Sequence, residues 1–545
     1  MPLKVGEPFG IDLKSIDDFD WILANNRIIN DVKSDFIYAP HVNYVYRKGS
    51  GNLIETLKAQ LGPGKYYPGA PLTIEVPKSS HLKIAATPPR PGPSFSRPGS
   101  ILMPLDRLFY QFLADKAVDI VHAETDHERS FSHQINFDEP TKMFIATREC
   151  WSDLQNSLRE HTLKKEIKYI LKVDVANYFG SLNLHKLINV LKDSGYPKPY
   201  LERLEIVLTA FTGERSSRGI LQGIFPSDLL GNFYLDPIDR LLSDLEIPSA
   251  RYVDDLYIFV KSVEEAETTF RALIEELRHY DLALNEAKSV LIPKGAMHTE
   301  EPDLEALFAN AIEEIADQFE GADFDTDYGF QADWDDGDND EGELPEGEAT
   351  DAMELEATKL LFDSIGDYPG HEENIERFCL PLFAKAKSDY AIPHVIEAFK
   401  RRPSMSQIYC AYLAKFLVEE NVYEFLVDAL ADSSLYDWQA MWVLASLALR
   451  TPESDDPIKI ALKIVKDGSK HDAVRAAAAI YVGRHGDAAR RTALRGEYAK
   501  VGGYVQAAIF FIAKYWPHPE NANAMATWGG QPGLVQLIKA TILAN

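Results

Sequence analysis

Residues 250–259 (ARYVDDLYIF) place two adjacent carboxylates, Asp254 and Asp255, between two short apolar segments. Apolar runs of this length separated by polar residues predict two β-strands that meet at a tight turn. Neighbouring carboxylates repel each other unless cations are present. Mg²⁺ prefers carboxylate oxygens, so the pattern predicts a divalent metal site. A YxDD sequence alone also arises by chance, and its weight depends on what accompanies it.

A second carboxylate stands in a comparable setting. Residues 168–175 (KYILKVDV) predict an apolar strand that carries Asp174 near its end, 80 residues before Asp254. Between the two strands, residues 221–230 (LQGIFPSDLL) predict a glycine turn followed by a helix. Two or three carboxylates gathered in a small space can bind the two divalent ions that nucleotidyl transfer requires.

The order of these segments resembles the palm of reverse transcriptases, which has an aspartate strand followed by an aromatic residue, a Gln-Gly-x-x-x-Ser segment and a YxDD hairpin. Further segments are similar to the fingers and to the lysine box of that family: residues 64–78 (GKYYPGAPLTIEVPK), 97–101 (RPGSI) with Asp106 and Arg107, and 284–289 (LNEAKS). The resemblance covers about residues 50–295. It implies an α+β right-hand polymerase with fingers and palm.

The resemblance implies a metal centre with two Mg²⁺ ions, for which Mn²⁺ can substitute. Asp174 and Asp254 would ligate both ions, and the Val175 carbonyl would contact the ion on the nucleotide side. Asp255 would be a carboxylate of the same centre, placed either close to the ions or in the shell around their direct ligands. As an isolated pair, two aspartates at a turn are also common surface residues.

The resemblance further implies the nucleotide contacts. Phe179, five residues after the strand aspartate, would block a ribose 2′-hydroxyl and favour dNTPs. Gln222 and Gly223 would line the nucleotide pocket, where a glycine lets the backbone approach the substrate. Lys78 and Arg97 would contact the triphosphate as charge-assisted donors.

Several of these roles stay open in the sequence. The segment 79–96 is longer than the family usually needs, so Lys83 or Arg90 are alternatives to Lys78. Lys288 would protonate pyrophosphate or lie on the surface. Ser227 would line the pocket or only cap the next helix. Three lysines before the palm strand would follow the nucleic-acid channel or a solvated face: Lys164, Lys165 and Lys168.

The net charge of −28 argues against nucleic-acid binding until its distribution is considered. Residues 300–356 contain 23 acidic side chains and no Lys or Arg, which leaves −5 for the rest of the chain. The segment is interpreted as a disordered insert or, alternatively, as a nucleic-acid mimic. Residues 86–100, rich in Pro and Gly, predict an irregular loop.

From residue 359 onward the sequence predicts helices with short polar breaks and no strands, which is typical of a HEAT-like helical repeat. The predicted helices lie near 372–386, 391–400, 405–418, 422–431, 435–449, 457–467, 471–484, 487–498 and 503–514. We therefore expect four parts: an N-terminal helical extension (1–60), the fingers and palm (61–295), the acidic linker (296–357) and an all-α HEAT-like domain (358–545).

A palm followed directly by helical repeats resembles the abortive-infection and other defence-associated reverse transcriptases of bacteria. That resemblance implies an antiphage role, RNA-directed or template-independent DNA synthesis, a partner non-coding RNA or protein priming, RNA or single-stranded DNA as partner, and a homo-oligomer (trimer or hexamer). Candidate priming tyrosines are numerous and none is preferred: Tyr409, Tyr412, Tyr498, Tyr504 and Tyr515. An arginine-rich stretch would hold nucleic acid or form exposed helix faces: Arg475, Arg484, Arg490, Arg491 and Arg495.

Two other functions stay open. The chain would be a mobile-element reverse transcriptase of the retron or group II type, or a non-catalytic scaffold that senses phage. No apolar run is long enough for a bilayer, the N-terminus has no secretory pattern, and three scattered cysteines fit free thiols in a reducing compartment. We expect a bacterial cytoplasmic protein that has no membrane contact.

Overall fold

The computed structural model describes residues 16–86, 90–213, 217–297 and 348–545, together with Leu304, Leu307, Phe308 and Ala311. The side chains of residues 90, 91 and 348–353 lie outside this description. The chain forms two compact units. The first comprises Met1–Ser34, Leu53–Pro71 and Leu102–Asp303, and the second comprises Asp35–Asn52, Leu72–Ile101 and Leu304–Asn545. The predicted four-part domain division stays a prediction.

The first unit combines helices with one small sheet. Its helices are α1 (Asp18–Asp31), most of α3 (Ser50–Leu61), α4 (Pro104–Asp115), α5 (Val118–Glu124), α6 (Thr147–Leu163), α7 (Tyr178–Ser181), α8 (Leu184–Asp193), α9 (Lys198–Phe211), α10 (Phe225–Tyr234), α11 (Asp236–Asp244) and α12 (Val263–His279). Its strands are β3 (Tyr169–Asp174), β4 (Ser249–Tyr252), β5 (Asp255–Val260) and β6 (Val290–Pro293).

The sheet is antiparallel and has the strand order β4-β5-β3-β6. Both of its faces are covered, because consecutive residues of β5 from Leu256 to Val260 are all buried although their side chains alternate between the faces. On one face, α6 packs on β4 and β5, and Tyr257 and Phe259 join Leu154 and Leu158 in the core. Helix α12 also packs on β3 and β5. The apolar patterns therefore predicted buried strands correctly.

The second unit contains a β-hairpin and a long series of helices. The hairpin strands are β1 (Leu72–Ile84) and β2 (Arg90–Ile101). The helices are α2 (Pro40–Lys48), α13 (Glu348–Asp363), α14 (Glu372–Lys385), α15 (Ile392–Ala398), α16 (Ser406–Ala414), α17 (Glu420–Ala431), α18 (Asp437–Leu447), α19 (Asp456–Lys466), α20 (Asp472–His485), α21 (Ala488–Glu497), α22 (Gly503–Ala513), α23 (Glu520–Trp528) and α24 (Leu534–Ala544).

The hairpin corrects one prediction. Residues 86–100 were expected to form an irregular loop, but residues from 90 onward belong to β2, which pairs with β1 from Leu72↔Ile101 to Ile84↔Arg90. Proline has no backbone N–H to donate to a neighbouring strand. It is therefore excluded from central strands, which pair on both sides, but is tolerated in edge strands, which pair on one side only. Both strands of a two-stranded ribbon are edges, which explains why Pro91, Pro93 and Pro98 fit in β2.

The helices of the second unit stack in a regular way. One row consists of α14, α16, α18, α20, α22 and α24, and each helix packs on the next member of this row. A second row consists of α17, α19 and α21, packed in the same way. The middle helices of the first row are buried all round, as expected for helices with neighbours on every side. Helix α2 packs on α22 and α24, and β1 packs on α18. This arrangement is compatible with a HEAT-like repeat, and that assignment stays a proposal.

Most of the acidic segment lies outside the described residues, so the two interpretations of residues 300–347 stay predictions. Its end, from Glu348, is the beginning of α13. The three cysteines, Cys150, Cys379 and Cys410, are buried and unpaired by disulfides, as small core residues. Among the described helices, none has the length and apolarity needed to cross a membrane.

Candidate active site

The structure brings the three predicted carboxylates to one end of the sheet. Asp174 is the last residue of β3 and lies directly opposite Asp255, the first residue of β5. Asp254 lies in the turn between β4 and β5. Residues directly opposite in an antiparallel pair have side chains on the same face, and like charges there are destabilising. Because this arrangement is unfavourable for the hairpin, a functional role explains the carboxylates better than a structural one.

The electrostatics of the turn reflect this proximity. Burial, followed by the charges of Asp255 and Asp174, raises the pKa of Asp254 to about 7. Burial and the charge of Asp174 also raise the pKa of Asp255, although the Lys172 ammonium acts in the opposite direction. The ionised forms of neighbouring carboxylates therefore repel one another, and a bound cation would offset this repulsion.

Residues of the lysine box hold the Asp174 carboxylate. Lys288 Nζ lies 2.9 Å from Oδ1 of Asp174, and Asn285 Nδ2 donates to Oδ2 at 2.9 Å. The Asn285 backbone N–H also donates to the Asp174 carbonyl at 2.8 Å. Val175, the next residue, forms an isolated bridge with Leu284. Lys288 thus lies beside the Asp174 carboxylate, and it is also a surface residue, because 66% of its side chain is exposed.

The turn that carries Asp254 is strained. Val253 has φ 53°, in the left-handed region that β-branched residues rarely adopt. Tyr252 pairs with Asp255, so Val253 and Asp254 form a two-residue hairpin loop, and only Val253 has a positive φ. This is the pattern of a type II′ turn, whose first loop position is usually glycine. The sequence places valine there, so other contacts must hold the peptide.

Phe179 lies in the short helix α7, which follows β3. Its carbonyl accepts the Ile220 N–H at 2.9 Å, and its ring meets the Tyr178 ring edge-on at 5.3 Å. The ring also rests against α10 at Gly231. A Cβ added to Gly231 would lie 2.8 Å from Phe179 Cε1, and the three nearest atoms to that Cβ all belong to the Phe179 ring. Gly231 therefore leaves the space that the ring occupies.

The Gln222–Gly223 loop precedes α10, as predicted. Gly223 has φ 78°, which glycine adopts without strain. The first N–H of α10, that of Phe225, donates to Asp31 Oδ2 at 3.0 Å. Asp31 also accepts from Arg107 Nη2 at 2.7 Å, and both of these side chains are buried. Helix α1 thus fixes the loop through a buried ion pair.

The alternative role of Ser227 as a helix cap is wrong. Ser227 lies inside α10 rather than before it, because the helix begins at Phe225. Its hydroxyl forms a hydrogen bond of 3.0 Å with the Tyr110 hydroxyl. The helix is instead closed at its N-terminus by Asp31.

Lys78 and Arg97 lie on the β1–β2 hairpin, which belongs to the second unit. Lys78 is exposed, as is the alternative Lys83. The Arg97 guanidinium lies 4.9 Å from the centre of the Phe36 ring, and burial followed by the charge of Arg377 lowers its pKa. Their role as triphosphate contacts stays a prediction, and the Arg90 side chain lies outside the described residues.

The other basic segments have partners of their own. In the second unit Arg490 pairs with Asp455, and Arg491 with Glu520. Arg475 pairs with Asp472, and Arg495 lies 3.7 Å from Glu520. These ion pairs oppose the interpretation of this stretch as a phosphate-binding surface. Lys164, Lys165 and Lys168 precede β3 and therefore lie at the opposite end of that strand from Asp174, roughly 20 Å along it.

The donor set fits a divalent cation in its chemistry. Asp174, Asp254 and Asp255 supply the hard carboxylate oxygens that Mg²⁺ prefers, and their mutual repulsion provides the driving force. Across the described ranges, no group of three or more His, Cys, Asp or Glu side chains is arranged to hold a metal ion. Lys288 and Asn285 contact both oxygens of Asp174, so the ammonium stands beside the carboxylate that a metal ion would use.

Residues 90–299 match the family described as reverse transcriptase (RNA-dependent DNA polymerase). The chain contains a reverse transcriptase domain. Domains of this family are nucleotidyltransferases, so the predicted enzyme class is confirmed, and they generally use divalent metal ions, typically Mg²⁺. The match covers less than half of the 545 residues and leaves the helical second unit largely unassigned.

Two solved structures with some likeness are telomerase from Candida tropicalis and from Candida albicans, each with a TWJ fragment of telomeric RNA. They are 13% and 11% identical to the chain and cover 74% and 73% of it, over 68% and 70% of their own length. Their TM-scores are 0.29 and 0.28, too low to support an argument about this protein. No curated protein matches the chain.

Sequence reasoning missed four residues around the site. Asn285 stood inside the recognised lysine box, so its hydrogen bond to Asp174 was open to inference. Gly231 carried the signal of a glycine inside a predicted helix. Arg251 and Asp31 gave no local signal, because their partners lie on other elements: Asp239 on α11 for Arg251, and the Phe225 N–H of α10 for Asp31.

Proposed function

We propose that the chain is a DNA polymerase of the reverse-transcriptase type that joins dNTPs with two divalent ions, either on an RNA template or without a template. The observation that supports this most is the placement of Asp174 directly opposite Asp255, with Asp254 in the adjoining turn. The half-buried turn, the pKa of Asp254 near 7 and the lysine beside Asp174 are hard to explain as parts of a surface hairpin.

Two Mg²⁺ ions, or Mn²⁺ in their place, would be held by Asp174, Asp254 and Asp255 and by the Val175 carbonyl. Such ions lower the pKa of a primer 3′-hydroxyl and hold the triphosphate. The Phe179 ring would exclude a ribose 2′-hydroxyl, and the Gln222–Gly223 loop would receive the incoming nucleotide.

Basic side chains supply the remaining contacts of this proposal. Lys288, already beside Asp174, would pair with the departing pyrophosphate and give it a proton. Lys78 and Arg97 would be the triphosphate contacts from the hairpin.

We further propose that the polymerase acts in antiphage defence in the bacterial cytoplasm, as a homo-oligomer (trimer or hexamer) with RNA or single-stranded DNA, and with a partner non-coding RNA or a protein primer. The stack of helices that follows the reverse transcriptase domain supports this proposal. If priming is on protein, Tyr515 is our candidate, because 51% of it is exposed whereas Tyr409, Tyr412, Tyr498 and Tyr504 are buried.

Incorporation of labelled dNTPs by the purified full chain tests the chemistry. Mg²⁺-dependent synthesis is expected for the wild type and is expected to be lost in Asp254→Asn, which keeps the size of the side chain but removes a charge. The matched control is Asp119→Asn on α5, where the side chain is exposed. Full incorporation by Asp254→Asn would refute the proposal, and a wild type without turnover would favour a scaffold.

The biological part is tested separately. Expression of the wild type in a bacterial host is expected to reduce phage plaques, and Asp254→Asn is expected to lose the protection. DNA that stays attached to the protein after denaturation and RNase treatment is expected for protein priming, and Tyr515→Phe is expected to abolish the attachment. Equal plaque numbers with both forms of the protein would refute the defensive role.

A further inference from the structure

The left-handed peptide of Val253 is held by a hydrogen bond at each end. The Val253 N–H donates to Ser132 Oγ at 2.8 Å, and Arg251 Nη1 donates to the Val253 carbonyl at 2.9 Å. Both partners lie outside the loop itself. The backbone conformation that leads into Asp254 therefore depends on the side chains of Ser132 and Arg251, neither of which is among the proposed metal or nucleotide contacts.

Behind these two contacts lies a buried polar network. Arg251 is almost fully buried and donates to both carboxylate oxygens of Asp239, with an Nη2–Oδ2 distance of 2.6 Å. Its Nη1 also donates to Asn232 Oδ1 at 2.8 Å, and Ser132 Oγ donates to the same oxygen at 3.0 Å. Asn232 Nδ2 donates in turn to the Ser132 carbonyl at 3.0 Å. Each group that holds Val253 is itself fixed by further hydrogen bonds.

The network joins four parts of the first unit. Arg251 is on β4, Asp239 on α11, Asn232 on α10, and Ser132 lies in the segment that follows α5. Charge-assisted hydrogen bonds of this kind are directional and are strengthened by burial. A buried ion pair contributes little net stability compared with apolar packing, so a role in fixing one conformation is the better explanation for it.

We propose that Arg251, Ser132 and Asn232, braced by Asp239, are positioning residues that hold Val253 in its left-handed conformation and thereby direct the carboxylates of Asp254 and Asp255. The inference rests on the proposed function and assigns these residues a task within the same site. Glycine at the first loop position would need no such support, because it adopts positive φ without strain. Valine there makes the carboxylate geometry depend on the network.

The test uses this difference between glycine and valine. Ser132→Ala removes the acceptor of the Val253 N–H, and Val253→Gly removes the strain that the acceptor offsets. Two readouts are measured on the full chain: the dissociation constant for Mn²⁺ by electron paramagnetic resonance, and kcat and KM for dNTP incorporation. Ser446→Ala is the matched control, because Ser446 is equally buried and its hydroxyl donates to the Cys410 carbonyl in the second unit.

We expect Ser132→Ala to weaken Mn²⁺ binding about tenfold and to lower kcat by a similar factor with little change in KM, as the release of a strained peptide implies. Val253→Gly alone is expected to stay close to wild type. The double variant is expected to regain most of the loss, since glycine keeps the turn without the serine. Arg251→Lys, which keeps the charge beside Asp239, is expected to show the same defect and the same rescue.

The inference is overturned if Ser132→Ala binds Mn²⁺ like wild type, or if the double variant is as defective as the single one. Thermal unfolding is followed in parallel. If Ser132→Ala does not fold, Arg251→Lys, with and without Val253→Gly, replaces it in the test. A wild type that binds Mn²⁺ without making DNA refutes the polymerase function but leaves the inference open to the binding assay. A wild type that binds no Mn²⁺ overturns the inference as well.

Discussion

The contact between Gly231 and Phe179 makes a prediction about nucleotide selection. Gly231 lies inside α10, where glycine costs about 1 kcal/mol relative to alanine, so helix stability alone would favour Gly231→Ala. The added methyl group would lie 2.8 Å from Phe179 Cε1, whereas carbon atoms pack best at about 3.5–4.0 Å. The ring must therefore move by roughly 0.7–1.2 Å, or the helix must shift.

The backbone beneath Phe179 is fixed from two sides. The Tyr178 hydroxyl donates to the Gly231 carbonyl, and the Phe179 carbonyl accepts the Ile220 N–H. The ring is thus the part that yields, away from α10. Overpacking of this size costs about 1–3 kcal/mol, which the gain in helix propensity partly offsets. We expect the fold to survive with a net loss of about 0–2 kcal/mol in the free energy of unfolding.

A displaced ring enters the space that Phe179 is proposed to share with the sugar of the nucleotide. We expect Gly231→Ala to raise KM for dNTPs about tenfold, a change of about 1.4 kcal/mol in nucleotide binding, with a smaller effect on kcat. Steady-state incorporation of dNTPs and of the matching ribonucleotides measures KM, kcat and the preference for deoxyribose. Gly496→Ala on α21 is the matched control, because a Cβ there meets no atom within 4 Å.

The decisive variant is Gly231→Ala combined with Phe179→Ala. Phe179→Ala alone is expected to reduce the preference for dNTPs, and the added Gly231→Ala should then change nothing, since the ring that it would push is gone. An equal rise in KM in both backgrounds would refute the reasoning, because the effect would then come from the helix rather than from the ring. So would an unchanged KM in the single variant.

Three further predictions concern stability. Arg251→Met leaves the buried Asp239 carboxylate without its partner and should lower the free energy of unfolding by about 3–5 kcal/mol in urea titrations; combining it with Asp239→Leu should restore most of that loss without restoring polymerase activity. Burial lowers the pKa of His41 from 6.5 to about 3, so between these values the unfolded chain binds a proton that the folded chain refuses. His41 should therefore contribute a loss of about 1.4 kcal/mol in stability for each pH unit as the pH drops below 6.5, and His41→Phe should change the slope of the unfolding free energy against pH by that amount. The buried Glu376 accepts hydrogen bonds from Arg402 and two other side chains, so Glu376→Leu should cost about 3 kcal/mol or more, measured by thermal unfolding, unless Arg402→Met accompanies it.

The parts of the fold that follow from local pattern could be predicted from the sequence. The strands that end at Asp174 and begin at Asp255 were visible as apolar runs, and so were the helices from 372 to 513, whose predicted ends mostly lie within a few residues of the observed ones. Helix periodicity is repeated over several turns, and a buried strand has few polar positions, so both signals are strong.

The parts that depend on a distant partner could not be predicted. The prolines of β2 indicated a loop, because their tolerance depends on β2 having only one neighbouring strand. Arg490 and Arg491 were candidates for nucleic-acid contacts, but they pair with Asp455 and Glu520, which are remote in sequence. The same limit applied to Arg251, whose ion pair with Asp239 was not visible in the YVDD motif beside it.

The turn between β4 and β5 departs from two local rules of β-hairpins. Asp174 and Asp255 place like charges directly opposite each other, and Val253 takes a conformation that suits glycine. Neither departure benefits the hairpin, and sequences that fold reliably usually break such rules only at functional sites. Each departure also has a specific compensation: Lys288 beside Asp174 for the charge, and the Arg251 network for the strained peptide. The cost and its compensation occur together at the end of β3 and β5, which is the physical reason to place the chemistry of this protein there.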